Sequence, residues 1–335
     1  MDVLTPQENY VLGINLKFSF FSDAFTIQSE ITGSQHTRDT RMEEIEIPGA
    51  PTWLKNLTHP RLSSSFDYAY RILSGLNLPS TQLQVSYELV GPGFTSFGAP
   101  NLRKDTRKME VSVDQGLFNN RINLGAIQIF EYNNVTGILG STTKFTSSLF
   151  NIGLNLEPLP YLQILFNPFQ EIDDSMGIKR DSKLFSVSSG KSFHLGSINN
   201  FVNITYSLQD NKDSLNTYKS NSIQFSGEAG FLFPLTTNYS IGVSEVNYQD
   251  SSNSTLDLDL SLNYTFFKRW SNGVGVNFSN ASSGESKRGL YLNSSLDMGF
   301  FGELKISSEY NIYSGLTEEN NYNEWRIRAN IRKNW

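Results

Sequence analysis

The chain has 335 residues, 38% of them hydrophobic, 13% aromatic and 18% charged, with a net charge of −6 and no cysteine. Low charge with many aromatics argues against disorder, a net negative chain gives no basic field for nucleic acid, and the absence of cysteine removes disulfides and thiolate zinc sites. No apolar run reaches the roughly 18 residues of a membrane helix, a limit that leaves membrane strands untouched because they are apolar on one face only.

Alternation with period two runs from end to end. The first strands are expected over 13–21 and 25–32, followed by a long polar connection over 33–64 and strands at 65–73 and 82–89. A second long connection, 90–106, rich in Gly and Pro, precedes strands at 108–114, 121–131, 144–156 and 160–166. Strands at 182–192, 200–208, 221–231 and 238–246 follow. The clearest covers 255–267. One face reads Leu256, Leu258, Leu260, Leu262, Tyr264 and Phe266, and the other Asp257, Asp259, Ser261, Asn263 and Thr265. A helix would set Leu256 and Leu258 about 200° apart, so this pattern belongs to a strand. The last four strands are expected at 272–280, 290–298, 302–310 and 325–335, for about 17 in all.

Connections alternate in length. Short ones fall near 22–24, 74–80, 116–120, 157–159, 193–199, 232–237, 268–271 and 299–301. Long ones fall near 33–64, 90–106, 132–143, 167–181, 209–220, 247–254, 281–287 and 312–323. Such interleaving fits an all-β, antiparallel, up-and-down transmembrane β-barrel of about 16–18 strands, with short periplasmic turns and long extracellular loops. Aromatics gather at two levels, Phe21, Phe267, Trp270, Phe300 and Trp335 among those at the short turns, Tyr132, Tyr206, Tyr310 and Trp325 among those toward the long loops. Amphipathic rings at two heights are what interfacial girdles require.

The last hairpin specifies its own register. Pairing Tyr310 with Trp325 sets Ile306 opposite Ala329 and Leu304 opposite Ile331, with Phe300 near Trp335. The other face then pairs Glu309 with Arg326 and Glu303 with Arg332, with Lys305 and Arg328 between. Each opposite-charge pair is worth about 0.2–1 kcal/mol, and a slip of one residue would put every charge into lipid. The charged face is therefore expected to be the lumen, with Lys333 snorkelling at the rim.

The terminal segment 327–335 (IRANIRKNW) resembles the C-terminal signal of bacterial outer-membrane barrels. That resemblance implies an outer-membrane location and recognition of the last strand by the barrel-assembly machinery. Segment 87–105 (YELVGPGFTSFGAPNLRKD), followed by a strand, resembles a stretch in large outer-membrane proteins of Bacteroidota-type bacteria, which implies location and architecture but no substrate. The whole chain, 1–335, reads as one barrel domain. No signal peptide opens it, and counting about 17 strands back from Trp335 leaves residue 1 on the long-loop side. The expectation is the C-terminal part of a longer protein, with a misread first strand as the alternative.

Little in the sequence carries chemistry. His36, His59 and His194 all lie in expected connections without a second ligand or base at motif spacing. Asp173 and Asp174 could serve a rim protease with His36 or His59, but an acidic pair in a loop is ordinarily solvated. No catalytic, cofactor or metal site is assigned. What remains is the inner face: Asp257, Asp259, Glu303, Lys305, Glu309, Arg326, Arg328 and Arg332 as candidate lumen-lining charges, with Lys17, Glu30, Glu88, Glu110, Asp114, Glu245 and Asp297 behind them. The reading is a non-enzymatic, porin-like barrel passing polar solutes. The alternative is a structural or secretion-associated barrel acting through its extracellular loops and protein partners. Outer-membrane lipid is its expected surroundings, and nucleic acid is not an expected partner.

Overall fold

The computed structural model describes residues 5–46, 51–174, 177–213, 217–248 and 251–333. Among these it has seventeen strands, β1 (Glu8–Phe20), β2 (Phe25–Thr37), β3 (Ser64–Asn77), β4 (Thr81–Val90), β5 (Thr106–Leu117), β6 (Ile122–Asn133), β7 (Thr143–Leu154), β8 (Tyr161–Asp173), β9 (Ile178–Leu195), β10 (Ile198–Asp213), β11 (Thr217–Gly230), β12 (Leu235–Tyr248), β13 (Ser252–Phe266), β14 (Trp270–Ala281), β15 (Ser286–Asp297), β16 (Glu303–Ser314) and β17 (Tyr322–Arg332). One short helix, α1 (Thr52–Thr58), lies between β2 and β3. The strand content and order are the expected ones: all-β, antiparallel and up-and-down.

The chain divides into two compact units, Met1–Phe150 with Asn167–Asp181, and Asn151–Phe166 with Ser182–Trp335. In the first, β1 to β6 form a meander in which each strand pairs antiparallel with the next. Side chains continue the order: Gln128 Nε2 donates to Ser147 O at 3.2 Å, and Asn167 Nδ2 to Ser148 O at 2.6 Å. In the second unit, β10 to β17 form the same kind of meander.

Rows across the second unit show how the two faces separate. One runs Tyr239, Leu260, Val276, Leu290, Tyr310, Trp325 from β12 to β17. The neighbouring row runs Asn238, Ser261, Gly275, Tyr291, Glu309, Arg326. Apolar side chains face outward: Ile14 is 65% exposed, Ile31 60% and Leu292 51%. Among the described residues only Leu89, Val90 and Phe94 are buried apolar side chains. A water-soluble sheet would do the reverse, so the exposed apolar face is the one suited to lipid. Even the tryptophans on it are satisfied: the indole N–H of Trp325 donates to Ser308 Oγ at 2.8 Å and that of Trp270 to Ser294 Oγ at 2.9 Å.

The register of the last hairpin is the one its charges specify, with Tyr310 opposite Trp325, Glu309 opposite Arg326 and Glu303 opposite Arg332. The proposed neighbour of Phe300, Trp335, lies outside the described residues. Lys333 reaches the rim aromatic itself, its Nζ 4.2 Å from the Phe300 ring centre.

Several expected long connections are strand. The segments 167–181, 209–220 and 247–254 hold the ends of β8 to β13, and β9 and β10 reach 18 and 16 residues. Likewise β2 continues to Thr37 inside the expected connection 33–64. The physical reason is that alternation of apolar with polar marks only the stretch of a strand that meets lipid. Beyond it both faces are wet, and the ladder continues through polar pairs such as Arg180 Nη1 with Glu171 Oε2 at 3.2 Å and Gln170 Nε2 with Asp181 Oδ1 at 2.7 Å. Because β10 runs on to Asp213, Tyr206 is a mid-strand residue rather than a rim one. The expected loop asymmetry therefore holds for residues 38–63, 91–105 and 134–142 and is lost further along the chain.

At the opposite ends the turns are tight, and three of them open with Phe in the left-handed region: Phe21, Phe118 and Phe267, at φ 53°, 53° and 50°. That conformation is unfavourable for a bulky side chain. All three rings point into the surroundings, 84%, 74% and 91% exposed. The turn gives up backbone comfort to hold an aromatic ring at the level of the interface.

Candidate functional site

Two of the three long connections of the first unit, those after β2 and β4, go to opposite faces. Residues 51–58 of the first lie over the apolar face, where Gln35 Nε2 donates to Thr58 O at 2.8 Å and anchors the end of α1. Trp53 and Leu57 of this connection and the apolar face of β1 to β3 bound a groove of about 560 Å³. Earlier in the same connection, Arg41 grips Asp39 through Nε and Nη2, both at 2.9 Å, and through its backbone N–H at 3.0 Å. The side-chain bonds, then the backbone one, pull the Asp39 carboxyl down from 3.8 to about 2. Since the folded value is the depressed one, this contact contributes in full above pH 3.8 and is lost as the pH falls through about 2. Carboxyl carbon shifts of Asp39, followed by NMR, should titrate near 2 and return to the ordinary range in Arg41→Ala.

Residues 91–105 fold the other way, across the polar face. Gly91 N–H donates to Tyr68 O at 2.9 Å and Gly93 N–H to Asp67 Oδ2 at 2.7 Å. At Gly91 the backbone passes so close to the Asp67 carboxylate that a Cβ would collide with it, so glycine is required there. Further along, Thr95 N–H donates to Ser34 Oγ at 3.1 Å, Asn9 Nδ2 donates to Thr95 O at 2.8 Å, and Phe97 N–H donates to Asn9 Oδ1 at 3.3 Å. The His36 ring meets Phe97 edge-on, 5.7 Å between centres. Phe94 of the loop is 4% exposed and lines the same cavity as Val90, which is 2% exposed. Asp105 closes the crossing, in left-handed conformation at φ 52°, and accepts from Thr136 N–H at 3.3 Å.

Beneath this strap lies a row of alternating charge. Register places Glu30 opposite Arg71, Arg71 opposite Glu88, Glu88 opposite Lys108, and Lys108 opposite Glu131, one residue from each of β2 to β6. Lys108 Nζ is 2.9 Å from Glu110 Oε2, and Arg103 of the loop pairs with Glu131. Of these five, Glu30 and Glu88 were expected on this face from the sequence, and Arg71, Lys108 and Glu131 were not. The signal was available, because fixing each hairpin's register by its turn brings the five into line.

In the second unit the candidate lumen charges all lie on the polar face, with partners other than those expected. Glu303 is 3.1 Å from Lys305 Nζ and accepts from Ser295 Oγ at 2.6 Å rather than pairing with Arg332. Glu309 accepts from Asn311 Nδ2 at 2.8 Å and Lys287 Nζ at 3.4 Å, while Arg326 turns to Glu324 at 2.6 Å. The reason is local: β16 has β15 on its other side, and Glu324 shares a strand face with Arg326. Arg328 and Arg332 are exposed, as is Asp257. Asp259 accepts from Tyr291 Oη at 3.2 Å.

That last contact spans three strands. The Tyr291 ring of β15 lies over Gly275 of β14 to reach Asp259 of β13. A second bar repeats it, with Tyr161 of β8 crossing Gly190 of β9 and donating to Asn203 Oδ1 of β10 at 2.8 Å. Gly275→Ala should displace Tyr291 and cost about 1–3 kcal/mol, and Tyr291→Phe about 1 kcal/mol. Denaturant unfolding of both single variants and the double variant checks this: in the Gly275→Ala background the Tyr291 change should become nearly neutral.

The histidines stay apart from the acidic pair. His36 lies at the strap, His59 Nδ1 is 3.9 Å from Glu44, and His194 is in β9. Asp174 is held by Lys144 at 2.9 Å. Among the described residues no cluster of three metal-ligating side chains occurs.

No family model matches the chain and no curated protein matches it. Solved structures similar to it include OccAB2 of Acinetobacter baumannii, at 10% identity, TM-score 0.44, covering 96% of this chain and 90% of that one. Another is the outer membrane protein opdK of Pseudomonas aeruginosa, at 9% identity, TM-score 0.48, covering 96% and 92%. A third is a loop L8 deletion mutant of OmpT, an outer membrane protein of Vibrio cholerae, at 10% identity, TM-score 0.32, covering 96% and 98%. Likeness at this level does not bear on function.

Proposed function

We propose that the chain is the wall of a non-enzymatic channel of the bacterial outer membrane that passes small polar solutes. The observation that carries this is the strap of residues 91–105 lying across a charged face, on the side of the sheet opposite the exposed apolar side chains. A loop folded onto the polar side narrows a water path and sets charged groups beside it, which is how wide pores acquire selectivity. Acidic residues outnumber basic ones in the chain, 33 to 27, so slight cation preference is expected. Planar-bilayer recording tests it: discrete channels with cation preference fit, and anion selectivity or a silent bilayer does not.

A second reading, a closed scaffold working through its outer loops, is favoured by β9 and β10, whose lengths exceed the 9–11 residues of a bilayer crossing. Such a scaffold would insert without conducting. Its partners would be lipid around the apolar face, assembly machinery at β17 and proteins at the outer loops. The resemblance of segment 87–105 supports a Bacteroidota-type origin, and the strap is residues 91–105 of that segment.

A further inference from the structure

We infer that the cavity under the strap is a binding site for a monovalent organic cation with an apolar body, such as an arylalkyl ammonium. The inference rests on reading the polar face as a solute path, and it names the solute class.

The cavity holds about 340 Å³, within the range of small-molecule sites. Its floor carries Glu30, Arg71 and Glu88, side by side in register on three adjacent strands. Its roof is mostly apolar, formed by Phe94, Ala99 and Leu102 of the strap with Ser96 among them. Neighbouring charges are committed elsewhere, Lys108 to Glu110 and Arg103 to Glu131. The three floor groups are not: no hydrogen bond or ion pair joins them to one another or to other described residues.

Charge decides the ligand. Two carboxylates around one guanidinium leave the floor at −1, and one ammonium brings it to zero while meeting both acids. An anion drawn to Arg71 would sit between two carboxylates and be repelled on both sides. A bare inorganic cation would leave the apolar roof without a partner, whereas an ammonium on a hydrocarbon body satisfies roof and floor together. Arg71 then has a moderating role. With a neutral residue in its place the floor would be −2 and hold its cation more firmly, and a solute path needs sites that release what they bind.

The test is calorimetric titration of the folded full chain in detergent with 2-phenylethylammonium, 2-phenylethanol and 3-phenylpropionate, each in dilute and in physiological salt. The ammonium should bind at least tenfold more tightly than the alcohol or the carboxylate, and less tightly as salt rises. Glu88→Gln should weaken it about two- to fivefold, and Glu30→Gln with Glu88→Gln about tenfold or more. Arg71→Gln should tighten it, a gain that misfolding cannot produce. Equal binding of the alcohol, tighter binding of the carboxylate, no binding, or indifference to the Glu30 and Glu88 changes would each overturn the inference. Bilayer recording on the same preparation separates the two claims: binding without conductance retires the channel and keeps the site, and conductance without binding does the opposite.

Discussion

Replacing residues 94–103 with a short Gly-Ser link should raise single-channel conductance about twofold or more, with weaker cation preference. The strap crosses from the β4–β5 hairpin to β1, tied at Asp67, Ser34 and Asn9. Without it the charged row from Glu30 to Glu131 meets water directly. The same change should also lower stability, because Phe94 and Val90 are two of the three buried apolar side chains among the described residues. Phe94→Ala alone should cost about 3 kcal/mol, at the low end for a buried aromatic, since the strap can settle into part of the space. Conductance recording and urea unfolding read the two effects separately. Unchanged conductance in the deletion would show that the strap does not narrow the path.

Leu260→Arg should destabilise the folded protein in lipid by about 2–4 kcal/mol. Leu260 lies midway along β13, 48% exposed, in the apolar row between Tyr239 and Val276. Its neighbour Asp259 points to the other face and accepts from Tyr291. Asp259→Arg should therefore cost far less than Leu260→Arg, no more than the contact with Tyr291 and some local repacking. Reversible unfolding from lipid vesicles measures both. Equal costs at adjacent residues would remove the two-faced reading of the sheet.

What could be read from the sequence follows from where chemistry alternates. The register of hairpin β16–β17 was legible to the single residue, though its strand ends and charge partners were not, because Tyr310 and Trp325 on one face and Glu309 and Arg326 on the other allow one register. The far ends of β8 to β11 were not, because Glu171, Arg180, Asp210 and Lys219 sit where both faces meet water and no alternation survives. The same limit hid the end of β2. Contacts spanning three strands were out of reach for another reason: Tyr291 reaches Asp259 only because Gly275 lies between, and no pairwise pattern records that. Direction was the other unknown. Connections 38–63 and 91–105 are both long and polar, and only their anchors, Gln35 to Thr58 and Asp67 to Gly93, send one over each face.

The central claim is that one face of this sheet meets lipid and the other water. Because the protein has no cysteine, each single-cysteine variant carries one unique label site. Leu260→Cys, Val276→Cys, Asp259→Cys and Asn277→Cys, folded into vesicles, would be treated with a membrane-impermeant thiol reagent and with a lipid-soluble one. The positions at 260 and 276 should react only with the lipid-soluble reagent, and those at 259 and 277 with the impermeant one. Rapid labelling of all four by the impermeant reagent would contradict a membrane-spanning sheet.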